Sequence, residues 1–279
     1  MFHLTSLTTL TILYLYLSTF VHAGTTGCEK TPTLTNGPQT MTINGKQRHW
    51  ILRIPSNYNA THPYRFIFGL HWLSGTMNSV DSGAAPYYGL QSLAQNSTIF
   101  VAPDGLNNGW ANQNGEDITF LNAIRKQVED DLCVNEKLRF SLGFSYGAAM
   151  SYSLACSAGK EFRAIAVLSG ALLSGCAGGN DPVAFYGQHG VKDSVLPIES
   201  GRQIRDKFVK LNGCRPKTAL EPVKGSRRRV TTVYEGCEYP TQFTAFDGDH
   251  VALPDDAGND VGLNSFTPVE VWRFFSQFS

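Results

Sequence analysis

The chain has 279 residues, and 23 lysines and arginines balance 23 aspartates and glutamates, so its formal net charge is zero. Hydrophobic residues make up 42% and charged residues 16%. This composition excludes an intrinsically disordered chain, because such chains combine low hydrophobicity with high net charge. The absence of a basic surplus argues against a nucleic-acid partner. The length allows one α/β domain or two smaller ones.

The amino terminus carries an export pattern. Residues 4–20 are mostly apolar and uncharged, and Val21-His22-Ala23 follows them. This predicts a secretory signal peptide at residues 1–23, cleaved after Ala23, and therefore an extracellular protein. A membrane anchor is the alternative, but a span needs about 20 apolar residues, and threonines and serines interrupt this run. Residues 24–279 contain no repeat or linker, which predicts a single domain without a further membrane segment.

The first elements predicted after the signal peptide form a β-hairpin. Asn44-Gly45 lies between two strand-like runs, and this dipeptide favours the tight turn of a hairpin. Short, nearly continuous apolar runs follow, as expected for strands that are covered on both faces of a sheet. They are residues 65–72, 98–105, 138–145, 163–170 and 182–190, and residues 242–250 would close the sheet.

Helical segments alternate with these strands. Apolar residues recur at helical spacing over residues 117–132 and 199–212. Thr267-Pro268-Val269-Glu270 matches a capping box with proline at the first helical position, and it predicts a final helix. The alternation predicts the α/β class, with a mostly parallel, doubly wound sheet flanked by helices. Sites in such sheets form at the carboxyl ends of the strands.

All six cysteines lie after the predicted signal peptide: Cys28, Cys133, Cys156, Cys176, Cys214 and Cys237. An even number in a secreted chain predicts three disulfides, and free buried thiols are the alternative. Cys214 ends a helical stretch and Cys237 a strand-like one, so we expect them to pair. Cys133 and Cys156 flank the strand and turn of residues 138–147 and form the second predicted pair. Cys28 and Cys176 remain as the third.

Two further patterns concern metal binding and glycosylation. The chain has no C-x-x-C or H-x-x-x-H spacing, so we expect no metal site. Two N-x-[ST] sequons, at Asn59 and Asn96, lie in polar stretches. Behind a signal peptide they predict glycosylation.

The candidate nucleophile is Ser145. The segment Gly143-Phe144-Ser145-Tyr146-Gly147 fits G-x-S-x-G, with an apolar strand before it and a helix-like run after it. This context is typical of a sharp strand-to-helix turn that lifts a serine hydroxyl above a sheet, where only flanking glycines let the chain pass so closely. The helix amino terminus would then offer N–H groups to a developing oxyanion. An ordinary glycine-rich turn is the alternative.

The candidate base is His250. A serine hydroxyl becomes a good nucleophile when a neighbouring imidazole takes its proton. His250 follows the last predicted strand, late in the chain, which suits the order Ser, Asp, His of α/β-hydrolases. His189 ends an earlier strand and is the rival, whereas His71 fits a loop-shaping role.

The candidate acid is Asp193, because it lies between the serine and the histidine and follows a predicted strand. A buried carboxylate there would hold the imidazole tautomer and stabilise the imidazolium. Asp181 precedes its strand and fits less well. Asp247 and Asp249 are too close to the histidine in sequence and are expected to shape its loop. The predicted triad is therefore Ser145, Asp193 and His250.

The predicted oxyanion hole has two backbone donors. One is the N–H of Tyr146, directly after the nucleophile. The other comes from the loop after the strand that ends near His71, and either Trp72 or Leu73 would supply it. The reaction that this constellation predicts needs no metal or cofactor.

At these residues the chain resembles a known family. The segments that carry the resemblance are GFSYGAAMSYSLAC, HGVKDSVLPIESGRQIRDKFVKLNGC, LNNGWANQNGED and GCEKTPTLTNG. Together they are similar to the small fungal feruloyl esterases of types C and D in carbohydrate esterase family 1, which are related to polyhydroxybutyrate depolymerases. The similarity extends over residues 27–279. Departures occur at Glu29, at Ala148 and in the DGDH segment that ends at His250, and none removes a catalytic group.

The resemblance implies a secreted α/β-hydrolase that cleaves ferulate and related hydroxycinnamates from arabinoxylan or pectin. We expect the protein to be a monomer. By motif match, Ser145, Asp193 and His250 take the triad roles. Aromatic side chains in the site loops, Trp72, Trp110 and Tyr146, would stack on a phenolic ring. For Trp110, packing within its own loop is the alternative.

Two other functions stay open on the sequence. An acetylxylan esterase or a short-chain polyester depolymerase would use the same triad. A non-catalytic carbohydrate-binding protein on a hydrolase fold is the rival of another class, and a complete candidate triad argues against it.

Overall fold

The computed structural model describes residues 24–279, and the predicted signal peptide lies outside them. Within that range the chain forms one mixed sheet of nine strands. The strands are β1 (Gly37–Ile43), β2 (Lys46–Arg53), β3 (Tyr64–Leu70), β4 (Thr98–Pro103), β5 (Val134–Phe144), β6 (Ala164–Leu168), β7 (Ala184–Gly190), β8 (Arg229–Val233) and β9 (Thr241–Phe246). The helices are α1 (Met77–Asp81), α2 (Leu90–Ala94), α3 (Glu116–Asp131), α4 (Tyr146–Ala158), α5 (Ile198–Leu211) and α6 (Phe266–Ser276).

The strand order is β1-β2-β4-β3-β5-β6-β7-β9-β8. The six central strands run parallel, whereas β1, β2 and β8 pair antiparallel at the two edges. This confirms the predicted hairpin and the mostly parallel, doubly wound sheet of the α/β class. One detail is wrong: β9 ends at Phe246 and does not close the sheet, because β8 continues it as the edge strand.

The core lies on both faces of the sheet, which explains the continuous apolar runs in its strands. In β3, Phe66 and Phe68 point to the face covered by α3, α4 and α5. Ile67 lies between them in sequence and points to the other face, which α1, α2 and α6 cover. Strands with two buried faces leave only their ends for solvent and ligands, so the site must lie at an edge of the sheet.

The final helix begins earlier than predicted. Ser265 is its cap, and the Ser265 hydroxyl accepts the N–H of Thr267 at 3.0 Å. The predicted cap at Thr267 is therefore wrong, because Thr267 already lies inside the helix. Helices α3 and α5 match the predicted segments to within one residue at each end.

The three disulfides are Cys28–Cys133, Cys156–Cys176 and Cys214–Cys237. The predicted Cys214–Cys237 pair is confirmed, and the other two predicted pairs, Cys133–Cys156 and Cys28–Cys176, are wrong. The N-terminal segment hydrogen-bonds to the end of α3 and the start of β5, which brings Cys28 beside Cys133. The Cys176 loop is held against α4 by a hydrogen bond from Ser153 to Ser174 O, next to Cys156.

Within residues 24–279, no helix combines the length and apolar character that crossing a bilayer requires.

Candidate active site

Ser145 occupies the sharp turn between β5 and α4, as the motif predicts. Its backbone is held at φ 56° and ψ −117°, a conformation that costs energy in any residue but glycine and that clusters at functional sites. The Ser145 N–H donates to Leu168 O at 2.9 Å, which fixes the turn against β6. A Cβ at Gly143 would lie 2.4 Å from the carbonyl carbon of Gly147. The chain therefore turns back on itself as tightly as backbone atoms allow.

The glycine after this turn is a point of close contact. A Cβ at Gly147 would lie 2.2 Å from Leu70 O and 2.6 Å from His71 O. Both are backbone atoms, so α4 or β3 must move. We expect Gly147→Ala to lower the free energy of unfolding by about 3 kcal/mol, measured by denaturant titration. Gly45→Ala is the control: Gly45 has φ +76° and no atom near its Cβ position, so it should lose only about 1 kcal/mol. Equal losses would contradict the close packing.

The structure brings His250 and Asp193 together from two different strand ends. His250 Nδ1 lies 2.7 Å from Asp193 Oδ2. The other carboxylate oxygen, Oδ1, accepts the N–H groups of Val195 at 3.0 Å and Leu196 at 2.7 Å. A carboxylate only accepts, so Nδ1 carries a proton, and in the neutral ring Nε2 is then the nitrogen with the lone pair. This Nε2 is buried and has no hydrogen-bond partner among the described residues. It is the atom with which a histidine base takes a proton.

The imidazole lies beside the serine turn. The His250 ring packs on the ring of Phe144, the residue before Ser145, with their centroids 4.6 Å apart. Ser145 itself is 9% exposed. Ser145, Asp193 and His250 thus follow β5, β7 and β9 at the carboxyl edge of the sheet, where His250 Nδ1 contacts Asp193 and His250 Nε2 makes no hydrogen bond to the Ser145 hydroxyl.

The carboxylates near His250 in sequence hold loops, as expected. Asp249 Oδ1 accepts the N–H of Ser194 at 2.7 Å and that of His250 at 2.8 Å. Asp247 accepts the N–H groups of Gly225 and Arg227 at 3.0 and 2.7 Å. The Asp249 contacts therefore connect the histidine loop to the Asp193 loop.

The sequence offers His189 as the alternative base, but in the structure its ring contacts Asp193 and Leu196. Its ring is completely buried, and its Nε2 lies 2.7 Å from Leu196 O and 3.2 Å from Asp193 Oδ2. Because Leu196 O can only accept, Nε2 carries the proton and faces the carboxylate. His189 therefore contacts the acid rather than the serine. The His-x-x-x-Asp spacing, which runs from His189 at the end of β7 to Asp193 in the following loop, is the sequence signal that could have revealed this contact.

Asp193 thus receives hydrogen bonds on both oxygens. Burial alone would raise the pKa of this carboxyl group, but hydrogen bonds from His189, His250 and the Leu196 N–H outweigh burial and hold the pKa well below its usual range. The carboxylate is therefore ionised at neutral pH and fixed in orientation. Asp181, the weaker candidate acid, is half exposed and lies 3.8 Å from Lys160, away from the histidine.

The orientation of the predicted oxyanion loop is set by its own carbonyl group. Trp72 O accepts from His71 Nδ1 at 2.7 Å and from the Gly75 N–H at 3.0 Å. The peptide bond is trans, so the N–H of Leu73 points the opposite way from these two donors. The other ring nitrogen of His71 accepts the Gly105 N–H at 2.9 Å. Burial lowers the pKa of His71, which keeps this neutral tautomer in its loop-shaping role.

The three predicted aromatic contacts divide into two groups. Trp72 and Tyr146 are partly exposed at the site edge. Trp110 is 0% exposed, and its indole N–H donates to His71 O at 2.8 Å. The expectation that Trp110 stacks on a ligand is therefore wrong, and packing within its loop describes it. The side chain of Leu73, next to Trp72 in sequence, is 59% exposed.

The fold is shared with solved esterase structures. An acetyl xylan esterase from Aspergillus awamori superposes with a TM-score of 0.59 at 14% identity, over 85% of this chain and 99% of that one. A family CE1 ferulic acid esterase from Anaeromyces mucronatus gives a TM-score of 0.52 at 15% identity, over 68% of this chain and 85% of that one. At these identities the similarity establishes the α/β-hydrolase fold.

Curated relatives are much more similar in sequence. A probable feruloyl esterase C from Aspergillus niger is 50% identical over 95% of this chain and 96% of the relative. A feruloyl esterase D from Neurospora crassa is 49% identical over 92% of this chain and 91% of the relative. No protein-family model matches the chain. The resemblance read from the sequence motifs is confirmed: the chain belongs to the family of fungal feruloyl esterases of types C and D.

Proposed function

We propose that the protein is a secreted serine esterase that hydrolyses feruloyl and related hydroxycinnamoyl esters of plant cell-wall polysaccharides, such as arabinoxylan and pectin, and releases ferulic acid. The observation that carries this proposal is the Asp193–His250 hydrogen bond at 2.7 Å. It leaves a free imidazole nitrogen beside the Ser145 turn. Family membership at about 50% identity supports the substrate class.

The reaction is a two-step acyl transfer. Ser145 Oγ attacks the ester carbonyl carbon while His250 Nε2 takes the hydroxyl proton. The tetrahedral intermediate collapses to the acyl-enzyme, and His250 gives its proton to the departing sugar oxygen. Water then attacks the acyl-enzyme with His250 again as the base, and ferulic acid leaves. Asp193 holds the imidazole and stabilises the imidazolium that forms in both steps.

The oxyanion of each tetrahedral intermediate is stabilised by backbone donors. The N–H of Tyr146 belongs to the first turn of α4 and has no partner within the helix. The Leu73 N–H is oriented by the two hydrogen bonds on its peptide carbonyl. Loss of one such donor costs about 10²–10³ in turnover. The helix dipole of α4 adds to the same effect.

The phenolic ring of the acyl group would meet the side chains at the site edge. Trp72 and Tyr146 are partly exposed there, and an aromatic pair contributes about 0.5–1.5 kcal/mol beyond its buried area. Leu73 supplies apolar surface beside them. We expect these side chains to favour an aromatic acyl group over an acetyl group, because an acetyl group has no ring to stack on them.

The disulfides and the exposed sequon residues support the proposal that the protein is exported. All six cysteines are disulfide-bonded, as is usual in oxidising compartments. The two sequon residues, Asn59 and Asn96, are exposed, which glycan attachment requires. We therefore propose an extracellular, glycosylated monomer that acts on feruloylated polysaccharide.

The substrate class is tested by measuring kcat/KM on three esters with the disulfide-intact protein: methyl ferulate, 4-nitrophenyl acetate and polyhydroxybutyrate. We expect methyl ferulate to be hydrolysed and polyhydroxybutyrate to resist. Protein whose serine has been blocked with a fluorophosphonate is the control and should hydrolyse none. An acetyl ester as the only substrate would favour an acetylxylan esterase, to which the fold similarity also points. Failure to react with the fluorophosphonate would favour the non-catalytic binding protein.

A further inference from the structure

The hydroxyl of Tyr88 joins the two backbone segments that flank the proposed oxyanion site. It donates a hydrogen bond to Leu70 O at 2.7 Å and accepts the N–H of Phe144 at 3.3 Å. Leu70 is the last residue of β3, and Phe144 is the last residue of β5. The Trp72–Leu73 loop leaves the sheet just after the first of these, and Ser145 follows the second. One phenol oxygen therefore connects the ends of β3 and β5, and the two segments that carry the predicted oxyanion donors begin at these ends.

The backbone that delivers Tyr88 is strained. Tyr88 has φ 56° and ψ 34°, and Tyr87 before it has φ 51° and ψ 44°. The left-handed region costs roughly 1–2 kcal/mol for each such residue, and strain of this kind persists only where the surrounding structure holds it. Both side chains are buried: Tyr87 is 0% exposed and Tyr88 is 5% exposed. Their hydroxyls diverge: that of Tyr87 donates to Asp81 Oδ1 at 3.2 Å, on α1.

The contact of α4 with β3 shows why this spacing matters. The first turn of α4 lies against the end of β3 so closely that a Cβ at Gly147 would overlap Leu70 O. The Tyr88 hydroxyl binds the same Leu70 carbonyl oxygen. Leu70 O is therefore in contact with both the first turn of α4 and the Tyr88 hydroxyl. Any shift of β3 relative to the serine turn would change both contacts.

We propose that Tyr88 is a positioning residue for the esterase reaction. Its hydroxyl fixes the separation between the Leu73 N–H and the Tyr146 N–H. This inference rests on the proposed function. Tyr88 touches neither the substrate nor a reacting atom. Oxyanion donors act by being in place before the charge forms, and a displacement of 1 Å can cost about 10² in rate. Loss of the hydroxyl therefore weakens binding of the transition state and leaves binding of the substrate unchanged.

The test compares Tyr88→Phe with Tyr87→Phe, because each removes one buried phenol oxygen from adjacent residues of the same turn. For Tyr88→Phe we expect kcat on methyl ferulate to fall about 10-fold to 100-fold, with KM within about twofold. The rate of inactivation by a fluorophosphonate should fall in parallel, because that reaction builds a similar charged oxygen. Tyr87→Phe should keep kcat within about threefold. Equal losses in the two variants, or a change in KM alone, would overturn the proposal.

A second variant covers the case in which Tyr88→Phe does not fold. 4-Aminophenylalanine at position 88 keeps a donor to Leu70 O but accepts poorly from the Phe144 N–H, so kcat should lie between those of the wild type and the Phe variant. A wild-type kcat in the amino variant would count against the positioning role. Ser145→Ala separates the two levels of inference. If the wild type does not hydrolyse methyl ferulate, the proposed function fails; if Ser145→Ala hydrolyses it as well as the wild type, Ser145 is not the nucleophile; if only Tyr88→Phe matches the wild type, the positioning role alone fails.

Discussion

Ser145→Ala is expected to lower kcat on methyl ferulate by about 10⁶-fold, the scale of loss when a serine nucleophile is removed from a complete triad. Without the hydroxyl oxygen, no acyl-enzyme forms, and His250 Nε2 has no proton to take. The residual rate would come from water acting in the intact oxyanion hole. Steady-state kinetics and fluorophosphonate labelling of the same preparation measure this, and labelling should vanish.

A nearby serine provides the matched control. Ser169 is completely buried, lies directly after β6 and also has a positive φ, of 48°. Its hydroxyl has no hydrogen-bond partner among the described residues. Ser169→Ala should therefore fold, label and turn over like the wild type. If Ser145→Ala still labels as the wild type does, another residue is the nucleophile.

Asp193→Asn is expected to lower kcat by about 10⁴-fold while KM changes little. An amide in place of the carboxylate can present its NH₂ group toward His250, which favours the wrong imidazole tautomer, and it cannot stabilise the imidazolium. The backbone contacts from Val195 and Leu196 hold the side chain in place, so the geometry should survive. Steady-state kinetics with methyl ferulate give the split between kcat and KM.

Asp249→Asn is the control for this substitution. Asp249 lies next to His250 and accepts hydrogen bonds from Ser194 and from the His250 backbone. The Oδ1 atom of an asparagine can accept the same bonds, so we expect a loss of no more than about tenfold. Comparable losses in the two variants would show that the loop as a whole, rather than the carboxylate facing the imidazole, sets the rate.

Asp193→Asn should also change how the unfolding free energy depends on pH. The pKa of Asp193 is lower in the folded protein than the usual value, so ionisation of this carboxyl group stabilises the fold. That stabilisation is complete above the unfolded-state pKa of about 3.9 and is lost as the pH falls toward the folded-state pKa. The difference in unfolding free energy between the wild type and Asp193→Asn should therefore shrink between pH 7 and pH 3. A constant difference would contradict the depressed pKa.

Local sequence patterns predict much of this fold because each pattern has one physical cause. Strands covered on both faces require uninterrupted apolar runs, and the helices require apolar residues at a helical period. The Ser145 turn needs glycines on both sides, since Cβ atoms at Gly143 and Gly147 would meet backbone. The positions of Asp193 and His250 follow from the rule that the ends of parallel strands meet at one edge.

Features that depend on the path of the chain in space are not predictable in this way. The pairing of Cys28 with Cys133 requires the N-terminal segment to lie along α3 and β5, which no local pattern encodes. The burial of Trp110 depends on the His71 carbonyl oxygen that binds its indole N–H. Tyr88 reaches the site through two consecutive left-handed residues, and neither is a glycine or an asparagine that would signal such a turn.

The Cys28–Cys133 disulfide, whose cysteines are 105 residues apart in sequence, has a consequence for how the protein responds to proteolysis. Its covalent ring includes the Trp72–Leu73 loop and the Tyr88 turn, but Ser145, Asp193 and His250 lie outside it. A protease nick at an exposed loop inside the ring would leave the two fragments covalently joined. Because β3 would stay paired with β5, we expect protein cut once inside this ring to keep its activity.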